Sequence, residues 1–133
     1  FPTRRSSDLE KLDFIYRLKT SALIEASMMV GAALAGASEA EIKVIEDSAR
    51  DIGLAFQIRD DILDVTSTTD ELGKPVFSDE KNDKTTYVTI EGIEKAKSDV
   101  EEISKRAVSA LQSLGRKNDF LEELVLMLVN RKK

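Results

Sequence analysis

The sequence predicts an all-α protein, a helical bundle, on three observations. Apolar residues recur at spacings of three and four through most of the 133 residues, the period of one helix face. Only two prolines and 5% aromatic residues are present, which favours helices over a sandwich or barrel. The helical tracts are also punctuated by start and stop signals, as at Gly36-Ala37-Ser38 and at Gly115. The length suits one domain able to bury a real core.

Composition narrows the chemistry. With 41% hydrophobic and 34% charged residues, the chain reads as soluble and globular. A net charge of −5 argues against general nucleic-acid binding, which needs a basic surface. There is no cysteine, hence no disulfide framework and no zinc-thiolate site, in keeping with a reducing, cytoplasmic setting. The absence of histidine removes the commonest general base near neutral pH. Any catalysis should therefore use carboxylates, lysines or the substrate itself.

Residues 1–9, FPTRRSSDL, carry no helical period and resemble an in-frame translation of a sequencing-library adapter. They are expected to be a non-native segment, the alternative being a short native loop, with the native domain over residues 10–133. Leu9, Leu12, Ile15 and Tyr16 give a short helical period over residues 9–18. Residues 21–37 form a helix rich in small side chains (Ala22, Ala26, Gly31, Ala32, Ala33, Ala35 and Gly36), expected to let neighbouring helices approach closely. Glu25 and the short length exclude a membrane span, which takes about 20 apolar residues. Ser38 with Glu41 makes a capping box, opening a helix that runs from about Glu39 to Val65 or Thr66. Ile42, Ile45, Ala49, Ile52 and Phe56 are its expected buried side.

Residues 66–84 are polar, contain Gly73 and Pro75, and show no period. A structureless stretch of that length inside a domain is either functional or a solvated linker. Lys74, Lys81 and Lys84 suit a mobile cationic lid. The period returns from Thr89 with Ile93, Ala96, Val100, Ile103, Ala107, Ala110 and Leu114, and Gly115 stops it. A last helix uses Phe120, Leu121, Leu124, Val125, Leu128 and Val129 before Arg131-Lys132-Lys133, a basic end that suits the helix dipole.

The residues richest in chemistry are 53–65, GLAFQIRDDILDV. At about 100° per residue, Gln57, Asp60, Asp61 and Asp64 fall within a sector of roughly 100°. Leu54, Ile58, Ile62 and Val65 lie to one side of it, Phe56 and Leu63 to the other. The nearest cation, Arg59, points away from the acids. Three clustered carboxylates without basic neighbours repel, so something else should neutralise them. Carboxylate oxygens are hard ligands, and Mg2+ commonly takes one or two of them plus water and substrate phosphate. A Mg2+ site lining a cavity is one reading; a solvated acidic edge is the other.

The run from Phe56 to Asp64 resembles the second aspartate-rich motif of the trans-polyprenyl diphosphate synthases, the farnesyl and geranylgeranyl type. Lys19-Thr20 upstream, Gly73-Lys74 downstream, and Asp79 with Lys84-Thr85-Thr86-Tyr87 stand in the family's order. The likeness runs from about Leu12 to the C-terminus. It implies the C-terminal part of an isoprenoid synthase fold, with the N-terminal half and its first aspartate-rich motif lying outside this sequence. The implied enzyme is a prenyltransferase of isoprenoid biosynthesis that joins isopentenyl diphosphate head-to-tail to an allylic diphosphate. Asp60 would bind Mg2+ directly, with Asp61 and Asp64 acting through water. Lys19 and Lys74 would hold phosphate oxygens, and Thr20 and Gln57 would turn dipoles toward the developing cation. Phe56 and Lys84 would border the isopentenyl side and the closed loop. The full-length protein is expected to be a homodimer, and this portion alone inactive.

Some positions depart from the family's pattern. Tyr16-Arg17-Leu18 precede the Lys-Thr pair where many members have histidines, Phe77 stands where glycine is common, and Val88 where proline is common. Two other functional classes stay open on sequence: another class I terpenoid synthase, condensing head-to-head or cyclising, and a non-catalytic small subunit or helical interaction module.

Overall fold

The structure is a computed structural model that describes residues 4–66 and 85–132. Within them α1 (Arg4–Tyr16) continues through a π-helical segment (Arg17–Ser21) into α2 (Ala22–Leu34). The long α3 (Glu39–Thr66), a short α4 (Tyr87–Glu91), α5 (Ile93–Gln112) and α6 (Asp119–Asn130) follow. The described residues contain no strand. All the other described helical segments touch α3, which is the axis of the bundle.

The predicted capping box opens α3. The Ser38 N–H donates to Glu41 Oε1 at 3.1 Å, and the Glu41 N–H donates to Ser38 Oγ at 3.2 Å, so two otherwise unmatched donors find partners. Each oxygen accepts a backbone N–H at the start of a 28-residue helix.

The core lies between α3 and α5. Ala55, Ile58 and Ile62 meet Ala96, Val100 and Ile103, and Val129 of α6 closes the cluster. A second cluster joins Ile52, Ala107 and Val125, with Ile24 and Met28 of α2 packed against it. The expected buried side of α3 is thus right at Ala49 and Ile52 but changes course beyond them. The fully buried positions continue through Ala55, Ile58 and Ile62, whereas Ile42, Ile45 and Phe56 are only half-buried. The face of α3 that meets its neighbours drifts along its length, from Ile52 in one cluster to Ala55, Ile58 and Ile62 in the other.

Three other expectations need correction. The helix expected from Leu9 begins at Arg4. The extra turn has no apolar face to betray it, and charges secure it instead: Arg4 lies 4.0 Å from Asp8, and Arg5 pairs with Glu91. The small residues of α2 do not mediate close packing among the described helices, since Ala22, Ala26, Gly31 and Ala33 are exposed. The continuous helix expected from Thr89 is broken at Gly92, whose φ of 87° suits glycine alone. Thr86 caps the preceding turn, accepting from the Thr89 N–H at 3.2 Å.

Close approach does occur, one turn before α2. Gly53 of α3 lies against Ser21, and a Cβ at Gly53 would come within 2.7 Å of the Ser21 Cα. This contact brings the π segment down onto the polar sector of α3. A buried acid reinforces it: Glu25, 9% exposed, accepts from Arg50 Nε at 3.1 Å, tying α2 to α3.

No described helix is long and apolar enough to cross a membrane.

Candidate active site

The polar sector of α3 is covered by three segments distant in sequence. Lys19 and Thr20 lie in the π-helical segment, where the widened turn breaks the regular side-chain register, a distortion often found at functional sites. The Gln57 amide donates from Nε2 to Thr20 Oγ1. Gln57 is only 3% exposed, so Thr20 supplies the partner that a buried amide needs. Lys19 itself is exposed.

One turn further along α3, the Asp61 carboxylate accepts two hydrogen bonds at Oδ2. One comes from the Tyr16 hydroxyl at the end of α1. The other comes from the Tyr87 backbone N–H at 3.0 Å. The Tyr87 side chain turns away to donate to Asp99 Oδ2 at 2.6 Å. Burial, followed by the bond to Asp99, pushes the Tyr87 hydroxyl pKa well above its ordinary value of 10.0. Tyr87 therefore serves α5 through its side chain and α3 through its backbone. In this way the Thr86-Tyr87 end of the last sequence motif meets the aspartates.

Asp60 looks the other way. Its Oδ1 accepts from Nη2 of Arg131, the residue that follows α6, and Arg131 also lies over the Phe56 ring at 4.2 Å. The Arg131 carbonyl in turn accepts from Arg59 Nε at 2.9 Å. Burial, and then the charge of Arg59, lower the Arg131 pKa from its ordinary value, but a guanidinium stays charged near neutrality. Asp64, one turn beyond Asp60, is half-buried.

The sequence shows no basic neighbour on the acids' own face of α3, but the fold brings one to Asp60 from elsewhere. Asp60 has a cation, brought 71 residues through the sequence by the docking of α6. Nothing local announces Arg131, which reads as a dipole-matching end of its own helix. Tyr16 was legible only as an apolar position, although a buried tyrosine hydroxyl usually requires a partner. Lys74 and Lys84, together with Gly73, Asp79 and the expected lid over residues 66–84, lie outside the described residues apart from Thr66, which ends α3.

The donor chemistry here fits Mg2+, since the carboxylates of Asp60, Asp61 and Asp64 are hard oxygen ligands on one helix. Among the described residues no group of three or more acidic side chains is arranged to hold a metal by itself.

Comparison with known proteins shows the family. A family model described as polyprenyl synthetase matches residues 2–124, a span that includes most of the segment set aside on sequence. A chloroplastic geranylgeranyl pyrophosphate synthase of Capsicum annuum is 46% identical over 107 residues, covering 80% of this chain and 29% of that protein. A geranylgeranyl diphosphate synthase of Sulfolobus acidocaldarius is 43% identical over 116 residues, covering 87% and 33%. Among solved structures, a geranyltransferase from Helicobacter pylori complexed with magnesium and isoprenyl diphosphate superposes with a TM-score of 0.69 at 32% identity, over 92% of this chain and 40% of that one. The chain thus spans a third or less of the length of the two synthases. The order of the motifs, the helical architecture and the family match lead to one conclusion: the chain belongs to the polyprenyl synthetase family.

Proposed function

We propose that this chain forms one side of the active site of a prenyltransferase that condenses isopentenyl diphosphate head-to-tail with an allylic diphosphate. The observation that carries the reading is the meeting of three motifs on the polar sector of α3. Thr20 joins it through Gln57, and Tyr16 and Tyr87 join it through Asp61. An acidic edge serving only solubility would not recruit buried and half-buried partners from other helices.

In this proposal Asp60 binds Mg2+ directly, with Asp61 and Asp64 acting through water. When bound, Mg2+ would neutralise charge building on the departing diphosphate. Lys19 holds phosphate oxygens from the neighbouring turn, and Lys74 takes the same role. The Gln57–Thr20 pair faces the developing allylic cation with fixed dipoles, which cost no reorganisation as charge appears. Phe56 and Lys84 border the isopentenyl side. The expelled diphosphate takes the proton after carbon–carbon bond formation, so neither histidine nor cysteine is required. The full-length protein is proposed to be a cytoplasmic homodimer.

The test is calorimetric titration of the purified chain with inorganic diphosphate, with and without Mg2+. The half-site reading expects weak binding of diphosphate that strengthens with Mg2+ and weakens in Lys19→Ala. A chain indifferent to both would instead be a helical interaction module.

A further inference from the structure

We propose that Arg131 is a built-in counter-cation for Asp60, which must leave this carboxylate before Asp60 can coordinate a divalent cation. The proposal rests on the reading of Asp60 as a metal ligand. Three contacts fix Arg131 where it stands. Its guanidinium donates to Asp60 Oδ1, it lies 4.2 Å from the Phe56 ring centroid, and its carbonyl accepts from Arg59 Nε at 2.9 Å. All three partners lie on α3 within five consecutive residues, whereas Arg131 follows α6. The end of α6 is thereby clasped to the helix that carries the aspartates.

The clasp is poised for release. The Arg131 Nε is buried with no hydrogen-bond partner among the described residues, so the guanidinium leaves one of its donors unused here. Arg59, a like charge, stands beside it. Burial and a neighbouring like charge both oppose a cation at this position. Attraction to Asp60 and the Phe56 face oppose these costs. A divalent cation at Asp60 would remove the first of them and add repulsion, leaving Arg131 with the ring and a backbone tie. The Arg131 and Asp60 side chains are 26% and 41% exposed, so water and salt can reach the pair and exchange does not require unfolding.

The experiment uses the chain as it is, with Mn2+ as the probe because free and bound ion are distinguished by electron paramagnetic resonance. Arg131→Gln should bind Mn2+ about two- to fivefold more tightly than the unaltered chain, the scale of a part-exposed ion pair. That gap should narrow as salt screens the pair. Equal or weaker binding by Arg131→Gln overturns the competition while leaving the metal site standing. No binding by either chain overturns the metal reading itself, and this proposal with it. A second measurement needs no variant: saturating Mn2+ should speed hydrogen exchange at amides 124–130 of the unaltered chain as the clasp opens. Unchanged exchange under saturation also overturns the proposal.

Discussion

The Tyr16 hydroxyl donates a hydrogen bond to the Asp61 carboxylate across 45 positions of sequence. It places the end of α1 against the aspartates of α3. Because Tyr16 is only 7% exposed, its ring supports the core while its oxygen serves the site. Tyr16→Phe keeps the ring and removes the bond. Hydrogen bonds to charged groups contribute about 1.5–3 kcal/mol, so urea unfolding of Tyr16→Phe should show a loss of that order. An unchanged midpoint would mean that water replaces the hydroxyl without cost.

Gly53 tests the approach of the π segment to α3. Alanine there would press on the backbone of Ser21, whose Cα would lie 2.7 Å from the new Cβ. The Ser21 hydroxyl could turn aside, but the Ser21 Cα is backbone and could move only with its helix. Overpacking of this kind costs about 1–3 kcal/mol. Gly53→Ala should also disturb the neighbouring Gln57–Thr20 bond, visible as a shift in the Gln57 amide resonances. A variant with native stability and unmoved Gln57 signals would count against the tight contact.

The capping box makes the start of α3 sensitive to acid. Hydrogen bonds from the Ser38 backbone N–H and then its side chain, followed by the charge of Arg116, hold the Glu41 pKa below its ordinary 4.5. A carboxyl lowered in the folded state stabilises the fold above the unfolded pKa, and that contribution fades as pH falls through the folded value. Stability should therefore drop as pH is taken below about 4.5, with α3 fraying at its N-terminus. Ser38→Ala, which removes the side-chain bond but keeps the Ser38 N–H, should bring the Glu41 pKa, read by NMR titration, only part of the way toward 4.5 and weaken this acid dependence in part.

The exposed face of the π segment and α2 predicts the behaviour of the isolated chain. Leu18, Leu23, Val30 and Leu34 are 63%, 72%, 58% and 84% exposed, a density of apolar surface that favours association. Sedimentation should show concentration-dependent self-association, reduced by Leu23→Lys with Leu34→Glu. Monodisperse behaviour at high concentration would contradict this.

The same isolated chain should not condense isopentenyl and dimethylallyl diphosphates with Mg2+. Stabilising the leaving diphosphate requires charges on more than the side that Asp60, Asp61 and Asp64 supply. Robust turnover by monodisperse chain would sink the half-site reading. In a longer protein that does turn over, Asp60→Ala should lower the rate by on the order of a thousandfold.

The sequence by itself determined the helices and the identity of the chemistry-bearing helix. Apolar periods located α3, α5 and α6 because burial of one face imposes a spacing that survives in any helix packed on one side. The Ser38–Glu41 box was legible because both of its hydrogen bonds span three residues. The 57–64 stripe was legible for a similar reason, since helical geometry alone sets which neighbours share a face. Tertiary structure decided what covers that stripe. Tyr16, the Tyr87 N–H and Arg131 reach it from 45, 26 and 71 positions away, and no local pattern encodes contacts at such separations. They depend on the packing of whole helices: α3 with α5 to place Tyr87, and α6 against α3 to deliver Arg131. The turn from Arg4 to Asp8 escaped notice because ion pairs, rather than an apolar face, hold it. Phe56 was expected in the core and stands at its edge because the packed face of α3 drifts toward Ala55 and Ile58, leaving the ring to lie beneath Arg131.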